Sequence, residues 1–361
     1  MKRNLLICTF ASLAMLIAAA GCTKSSSEPE SASADAGADT PSFSLSWSEY
    51  PSWSVFGVAG ELGLIDGKKG KMGSVEKKHG VDIELRQHDY ATCLNTFSSG
   101  DCDAVCITNM DALIVSPSRA GVAVLPTSTS NGADACLVTS QVADLEALKQ
   151  HKVYGLQGTV SEYCFARCLE KAGMNEADYQ FTNQDPAVAA AALTTKSESH
   201  QAVMVWNPFV LQAQRDRDDV RVLFDSSQIK GEIVDMVVVG KDKMGEPGAD
   251  KFVAAVAEAF YEVGKSIDGT ERGNEILVAL GKKFSNLGLE DMKQVVEQTV
   301  FYQTPADAKA LFESETFRTN METVTNFCTS RDGLIKTEDV SIGYGADAGE
   351  VKLQFDASLL P

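Results

Sequence analysis

Residues 106–113 read Cys106-Ile107-Thr108-Asn109-Met110-Asp111-Ala112-Leu113 and join two apolar runs, 103–105 and 113–115. This pattern predicts a buried strand that ends in polar residues directly before a helix. In open α/β sheets such junctions lie at the carboxyl ends of the strands, where ligands bind. Asn109 and Asp111 are therefore candidate ligand-binding residues. Asn and Asp are also typical helix N-caps, so this junction taken alone fits either role.

Junctions of the same kind recur along the chain, and some of them carry aromatic residues. The alternating stretch 43–47 predicts a strand that runs into a loop with Tyr50 and Trp53. The apolar strand predicted at 202–205 leads into Trp206 and Asn207. Aromatic rings at such positions either plug the edge of a sheet or form the walls of a small pocket.

Taken together, these junctions predict one ligand-binding cleft with acidic, amide and aromatic walls. Acids in the first turn of a helix, such as Glu162, are also common caps, so each acid has this second interpretation. The candidate ligand-binding residues are Trp47, Tyr50, Trp53, Asn109, Asp111, Asn131, Asp134, Glu162, Trp206, Asn207, Glu232 and Asp235.

Strands and helices alternate in two successive units, 43–140 and 141–232, and the chain after residue 240 is mostly helical. Such alternation predicts an α/β fold with parallel, doubly wound strands. The polar run 128–134 is predicted as a loop between two of the strands.

The N-terminus has the features of an export signal. Lys2 and Arg3 precede an apolar run, 5–20, which is short for a membrane span. The run ends in Ala19-Ala20-Gly21-Cys22, which resembles the bacterial lipobox and implies cleavage before a lipidated Cys22. Residues 1–21 are thus predicted as a lipoprotein signal peptide. Residues 22–42 are predicted as a lipidated, disordered spacer, because they contain almost no large apolar side chain.

Charge and motifs narrow the possible functions. The chain has 50 acidic and 32 basic residues and a formal net charge of −18, which opposes binding to nucleic acid. No GxSxG, HExxH, P-loop, CxxC or GxGxxG pattern occurs. We therefore predict no catalytic residues, no metal and no cofactor.

Seven cysteines lie beyond the lipobox. Their number is odd, so at least one is unpaired in a monomer. Export permits disulfides, but most of these residues have the surroundings of small buried hydrophobes. They are Cys93, Cys102, Cys106, Cys136, Cys164, Cys168 and Cys328.

Several motifs together resemble a known family. The lipobox, the two α/β units and the helical C-terminal part are similar to the solute-binding lipoproteins of bacterial ABC importers, nitrate/sulfonate/taurine class. A narrower resemblance is to the urea-carboxylase-associated branch, from which this chain departs in its many cysteines. The residues that carry it are Ser46-Trp47-Ser48 with Tyr50, Thr108-Asn109-Met110-Asp111-Ala112-Leu113, Ser130-Asn131-Gly132-Ala133-Asp134, Ser161-Glu162-Tyr163, Trp206-Asn207-Pro208, and Phe224-Asp225-Ser226-Ser227 with Gly231-Glu232-Ile233-Val234-Asp235.

This resemblance implies a two-lobed, type II periplasmic-binding-protein fold, with mixed sheets flanked by helices. Lobe 1 would comprise 43–140 and 233–361, lobe 2 would comprise 141–232, and two crossings would form the hinge. The resemblance also implies a monomer on the periplasmic side of a bacterial membrane, anchored through Cys22. Its partners would be a small-molecule solute and an ABC permease.

The ligand is predicted from the residue types in the cleft. The nitrate/taurine class is best known for anions, yet no Arg or Lys lies inside these motifs. Carboxylates, amides and aromatic faces suit a planar, donor-rich ligand that is guanidine-like or urea-like. The alternatives are a sulfonate, nitrate or pyrimidine-precursor ligand, a sensor with the same binding chemistry, or an exported enzyme that uses Asp111 with Glu162.

Overall fold

The computed structural model describes residues 34–37, 39–267, 269–283, 287–331 and 333–361. The predicted signal peptide, Cys22 and most of the predicted spacer lie outside these ranges. Within the described ranges, no helix combines the length and the apolar character that a bilayer crossing requires.

Two large sheets and a separate two-stranded sheet organise the described residues. The strands are β1 (Ala34–Asp35), β2 (Ser42–Trp47), β3 (Lys71–Met72), β4 (Asp82–Gln87), β5 (Ala104–Thr108), β6 (Gly121–Ser130), β7 (Asp134–Val138), β8 (Lys152–Gly155), β9 (Gln180–Asn183), β10 (Ala202–Trp206), β11 (Arg221–Asp225), β12 (Val234–Gly240), β13 (Thr299–Phe301), β14 (Ile342–Tyr344) and β15 (Leu353–Phe355).

Helices cover the faces of both sheets. They are α1 (Ser54–Glu61), α2 (Ser74–His79), α3 (Tyr90–Ser99), α4 (Asn109–Val115), α5 (Leu145–Leu148), α6 (Val160–Lys171), α7 (Pro186–Thr194), α8 (Phe209–Asp216), α9 (Ala249–Lys265), α10 (Glu271–Lys283), α11 (Leu289–Gln298), α12 (Pro305–Glu313) and α13 (Glu315–Thr329). The C-terminal part is helical as predicted: α9 and α10 pack on α1, and α13 packs on α4.

The larger sheet has the order β14-β15-β6-β12-β5-β2-β4, with β13 paired to β6. Strand β2 is parallel to β4 and β5, whereas β12 is antiparallel to both β5 and β6. The all-parallel sheet expected from the alternation is therefore wrong, and the mixed sheet is confirmed. The chain leaves this sheet after β6 and re-enters it at the same end through β12, so β12 has to run in the opposite direction.

The smaller sheet has the order β11-β7-β10-β8-β9. Residues 134–140 were expected in lobe 1, but β7 is hydrogen-bonded between β10 and β11 of this smaller sheet. Its side chains alternate between two cores, with Ala135 and Leu137 on one face and Cys136 and Val138 on the other. The chain thus changes sheets between Ser130 and Asp134, earlier than the crossing expected near residue 140. The division into two moving lobes stays a prediction.

The cysteines after the lipobox contribute to the core. All seven are buried and unpaired. They pack as small apolar side chains in the main hydrophobic core.

Candidate functional site

A buried chamber lies where the two sheets meet. Two cross-strand pairs contribute to it: Thr108 opposite Asp235 in the larger sheet, and Asp134 opposite Trp206 in the smaller one. The cavity between its side chains has a volume of about 10 Å³, which is room for about one water molecule. Pockets for drug-sized molecules have roughly 300–1,000 Å³, so a ligand of even a few atoms requires the surrounding side chains to move apart. The lining residues are Tyr50, Trp53, Tyr90, Thr108, Asp134, Val160, Trp206, Ile233 and Asp235.

Asp111 is bound to two of these lining residues. Its Oδ2 accepts hydrogen bonds from the Tyr90 hydroxyl at 2.6 Å and from the Thr108 hydroxyl at 2.8 Å. Its Oδ1 is buried without a hydrogen-bond partner. The N-cap of α4 is Thr108, whose Oγ1 accepts from the Asp111 backbone N–H. Neither Asn109 nor Asp111 is therefore the N-cap, and one carboxylate oxygen of Asp111 remains available.

Asp134 and Asp235 are held by serine hydroxyls of β6. The Ser130 hydroxyl donates to Asp134 at 2.6 Å, and the Ser128 hydroxyl donates to Asp235 at 2.5 Å. Ser128 and Ser130 are two positions apart, which places both on the same face of the strand. The polar run 128–134 predicted a loop, but β6 continues through both serines to Ser130.

Burial disfavours the charged form of all three carboxyl groups. It raises the pKa of Asp111 and of Asp134 to about 6, although the hydroxyl donors act in the opposite direction. It raises the pKa of Asp235 well above its ordinary value, and the nearby charge of Asp134 adds to this effect. Such perturbed groups in an enclosed site are typical of functional sites.

Aromatic rings form the rest of the wall in one continuous row. Tyr50 and Trp53 have ring centroids 4.9 Å apart, Trp53 stacks on Tyr90 at 5.4 Å, and Tyr90 meets Trp206 edge-on at 5.8 Å. The Trp53 Nε1 and the Tyr50 hydroxyl are buried without a protein partner of normal geometry. Tyr90 and Trp206 also line a larger outer cavity, so these two rings separate the chamber from the outside.

Other predicted site residues lie away from the chamber lining. The Asn109 side chain clamps the crossing that leads into β12: its Nδ2 donates to Glu232 O and its Oδ1 accepts from Val234 N, both at 3.0 Å. Trp47 packs against α1, where a Cβ added to Gly57 would lie 2.9 Å from the indole. Both contacts join parts of the fold to each other.

Asn131 and Asn207 also lie outside the lining and converge on Gln298. The Asn207 amide donates to Gln298 Oε1 at 2.7 Å, and the Asn131 backbone N–H donates to Gln298 O at 2.8 Å. The side-chain oxygens of both asparagines are buried without a partner.

Glu162 and Glu232 are paired with arginines rather than facing the chamber. Glu232 accepts from Arg167 at 2.9 and 3.0 Å and from the Tyr163 hydroxyl at 2.5 Å. Burial favours its neutral form, but these donors outweigh burial and lower the pKa of Glu232. Glu162 accepts from Gly158 N at 2.7 Å and lies 3.2 Å from Arg331. Both glutamates therefore form ion pairs within the protein.

Sequence reasoning missed several groups of the site. Tyr90 follows β4 at the start of α3, so it had the same strand-to-helix signature that identified Trp206. Val160 and Ile233 are apolar, so no sequence feature predicted that they line the chamber. In the part of the chain that the structure describes, no group of three or more His, Cys, Asp or Glu is arranged to hold a metal ion.

Asn109→Ala tests the structural role of the two hydrogen bonds that the Asn109 side chain forms with the crossing into β12. It leaves a buried N–H and a buried C=O without partners, which should lower the free energy of unfolding by about 2–4 kcal/mol. Denaturant unfolding measures this loss, and ligand affinity of the folded protein should change by less than about tenfold. Asn320→Ala is a matched control, because it removes a single bond to Gly231 O. Unchanged stability with lost binding would instead place Asn109 in the ligand site.

Comparisons with known proteins concern the fold. No family model matches the sequence, and no curated protein matches it either. The aliphatic sulphonate binding protein SsuA from Escherichia coli has a TM-score of 0.61 at 19% identity, over 81% of this chain and 93% of that one. The nitrate-binding protein NrtA from Synechocystis has a TM-score of 0.55 at 12% identity, over 80% and 86%.

A third similar structure is a Candida albicans protein described as having the generic periplasmic binding protein fold. It has a TM-score of 0.60 at 13% identity and covers 81% of this chain and 91% of that one. At such identities the likeness concerns the fold alone. The chain therefore has the α/β periplasmic-binding-protein fold, with mixed sheets flanked by helices.

Proposed function

We propose that this chain is the solute-binding component of an ABC importer and that it captures a small, guanidine-like organic cation in the buried chamber. One observation carries the proposal. Two buried carboxyl groups and four aromatic rings line the chamber, a third buried carboxyl group, that of Asp111, is hydrogen-bonded to two lining residues, and the lining contains no Lys or Arg. The solute-binding role is also supported by the structural neighbours, which are described as periplasmic binding proteins.

The chemistry of the lining favours a cation. A guanidinium group donates charge-assisted hydrogen bonds to carboxylates and is attracted to the faces of aromatic rings. Asp111 Oδ1 is a buried acceptor without a hydrogen bond of normal geometry, so a bound N–H group would satisfy it. Each such contact contributes roughly 1–3 kcal/mol.

Anions are disfavoured by the same lining. The neighbours named for sulphonate and nitrate bind anions, whereas the side chains here would place carboxylates beside such a ligand. Like charges in a buried site repel strongly because water does not screen them. Urea has a similar planar shape to guanidinium but no charge, so we expect weaker binding of urea.

The enzyme alternative has less support. Asp111 and Glu162 were the single acid/base pair that the sequence offered. Asp111 is bonded to Tyr90 and Thr108 at the chamber, whereas Glu162 is paired with Arg331. The two carboxyl groups therefore have separate partners, and the neighbours are transport proteins.

In this proposal the chain is anchored through a lipid on Cys22 on the periplasmic side and acts as a monomer that delivers its ligand to a permease. Its lobes close on the ligand around the two crossings. The strand β7 is assigned to lobe 2, because it pairs within the smaller sheet.

A thermal-shift panel tests the function. The full-length protein is heated with millimolar guanidine, methylguanidine, urea, nitrate or taurine, against potassium chloride of equal ionic strength. A ligand present at 100 times its Kd stabilises the folded protein by about 2.7 kcal/mol. We expect the two guanidines to raise Tm by a few degrees. Stabilisation by nitrate or taurine alone would contradict the proposal.

A further inference from the structure

Two carboxyl groups line the chamber, a third is hydrogen-bonded to its wall, and none of the three has a positive partner among the described residues. Asp111, Asp134 and Asp235 have exposed fractions of 1%, 3% and 1%. The Oδ2 atom of each accepts from hydroxyl groups. Among the described residues, no Lys, Arg or His forms an ion pair with any of them. Full ionisation would thus enclose three negative charges in a dry space.

The groups packed around the three carboxyls do not supply the missing charge. Those that face them are thiols and phenols, which are neutral when protonated. Burial raises the pKa of every one of these groups, so they stay protonated near neutral pH. They are Cys328 and Tyr90 beside Asp111, Cys164 beside Asp134, and Cys106, Tyr50 and Tyr302 beside Asp235.

Two arginines that contact other predicted site residues already have acidic partners. Arg167 is bonded to Glu232, and Arg331 is paired with Glu162 and Glu176. The backbone N–H of Val160, at the N-terminus of α6, faces Asp111 and offers a partial positive charge. A partial charge of this kind offsets less than one of the three carboxylates.

Like charges confined in one buried site do not all ionise, because one retains its proton. On this basis, and resting on the proposed function, we propose that the empty chamber holds at least one proton on its aspartate carboxyls near neutral pH and that a bound cation displaces it. Capture of the ligand is then coupled to proton release. The reaction balances: the cation enters, the proton leaves the carboxyl group for the buffer, and no bond within the ligand changes.

The pKa values of the three groups agree with this exchange. Asp111 and Asp134 both titrate at about 6, and the pKa of Asp235 is raised well above its ordinary value. Release of one proton makes the observed Kd fall by up to about tenfold for each unit of rising pH. The affinity for the cation should therefore increase between pH 5.5 and 7.5.

Calorimetry tests the inference on the full-length protein with guanidine as the probe. Titrations at pH 6.0 are run in buffers that differ in ionisation enthalpy, and the slope of the observed heat against that enthalpy counts the protons. We expect about one proton released per bound guanidinium. Urea is the uncharged control and should release none. Guanidinium binding without proton release at pH 6.0 would overturn the inference while leaving the proposed function intact.

Variants then locate the proton. Asp235→Asn should reduce the release measured at pH 7.5, and Asp218→Asn, at an exposed position, is the matched control. If both single variants, Asp235→Asn and Asp134→Asn, release as many protons as the wild type, the assignment of the proton to these carboxyl groups is overturned. The wild-type titrations remain decisive where a variant fails to fold. Absence of cation binding in every buffer would overturn the inference and the proposed function together.

Discussion

Asp134→Asn is expected to weaken capture of a guanidine-like cation by about 10–100-fold, because it removes one charge-assisted contact. The same change should make the ligand-free protein more stable at pH 7.5. The Asn side chain has nearly the shape of the protonated carboxyl and carries no charge to be buried. Ser130, the hydroxyl partner of Asp134, can then act as an acceptor. Gain of stability with loss of binding is the expected signature of a site built for a cation.

The sign of the stability change follows from the pKa. In the folded protein the pKa of Asp134 is raised from 3.8 to about 6. Its stabilising contribution is therefore complete below pH 4 and is lost as the pH rises through 6. At 1.36 kcal/mol per pKa unit, the ionised group destabilises the ligand-free protein by about 3 kcal/mol above pH 7.

Denaturant unfolding of the wild type and of Asp134→Asn across pH 4 to 8 measures this difference. The two proteins should converge near pH 4, and the variant should be more stable above pH 6. Asp218→Asn, the exposed control, should change neither stability nor binding. A variant that is less stable than the wild type at pH 7.5 and binds guanidine normally would contradict the site.

Trp53→Leu is the second change with a large expected effect. Trp53 is central in the aromatic row, with Tyr50 at 4.9 Å and Tyr90 at 5.4 Å. A desolvated cation–π contact contributes about 1–2 kcal/mol, so guanidinium should bind roughly 5–30-fold more weakly, whereas urea should lose less. Isothermal calorimetry with both ligands measures the two changes.

Two matched variants separate the ring's role from packing. Trp53→Phe keeps an aromatic face and should recover most of the guanidinium affinity. Trp47→Phe changes a buried tryptophan that lies outside the chamber, against α1, and should leave affinity nearly unchanged. Equal losses in Trp53→Leu and Trp47→Phe would indicate a general packing defect and contradict a specific role for Trp53.

Local sequence pattern was sufficient to predict part of the lining of the candidate site. Strand ends that carry polar or aromatic residues pointed to Tyr50, Trp53 and Trp206, which line the chamber, and to Asp111, which is bonded to its wall. Position at the carboxyl end of a strand is a local property that the sequence displays directly. Tyr90 had the same signature and could have been included.

The roles of Glu162 and Glu232 depended on distant partners. Arg167 is 65 residues from Glu232, and Arg331 is 169 residues from Glu162. No local sequence pattern indicates an ion pair over such a distance, so the sequence predicted both glutamates as free acceptors. Asn109 likewise has partners that are distant in sequence, at the crossing into β12.

The fold was predictable to the level of its class. Local alternation identified an α/β chain, but it could not give the direction of β12, which follows from where the chain re-enters the larger sheet. It also grouped residues 134–140 with the first unit, whereas β7 pairs within the smaller sheet. Sheet membership is decided by pairing with strands that are distant in sequence, such as β10 and β11.

The most direct test of the central claim compares two ligands of nearly the same shape. Guanidinium and urea are both small and planar, and they differ mainly in charge. Calorimetry of the full-length protein at pH 7.5 gives both dissociation constants. A chamber selective for a cation should bind guanidinium at least about tenfold more tightly than urea, since one charge-assisted contact is enough for that ratio. Equal affinities, or tighter binding of urea, would contradict it.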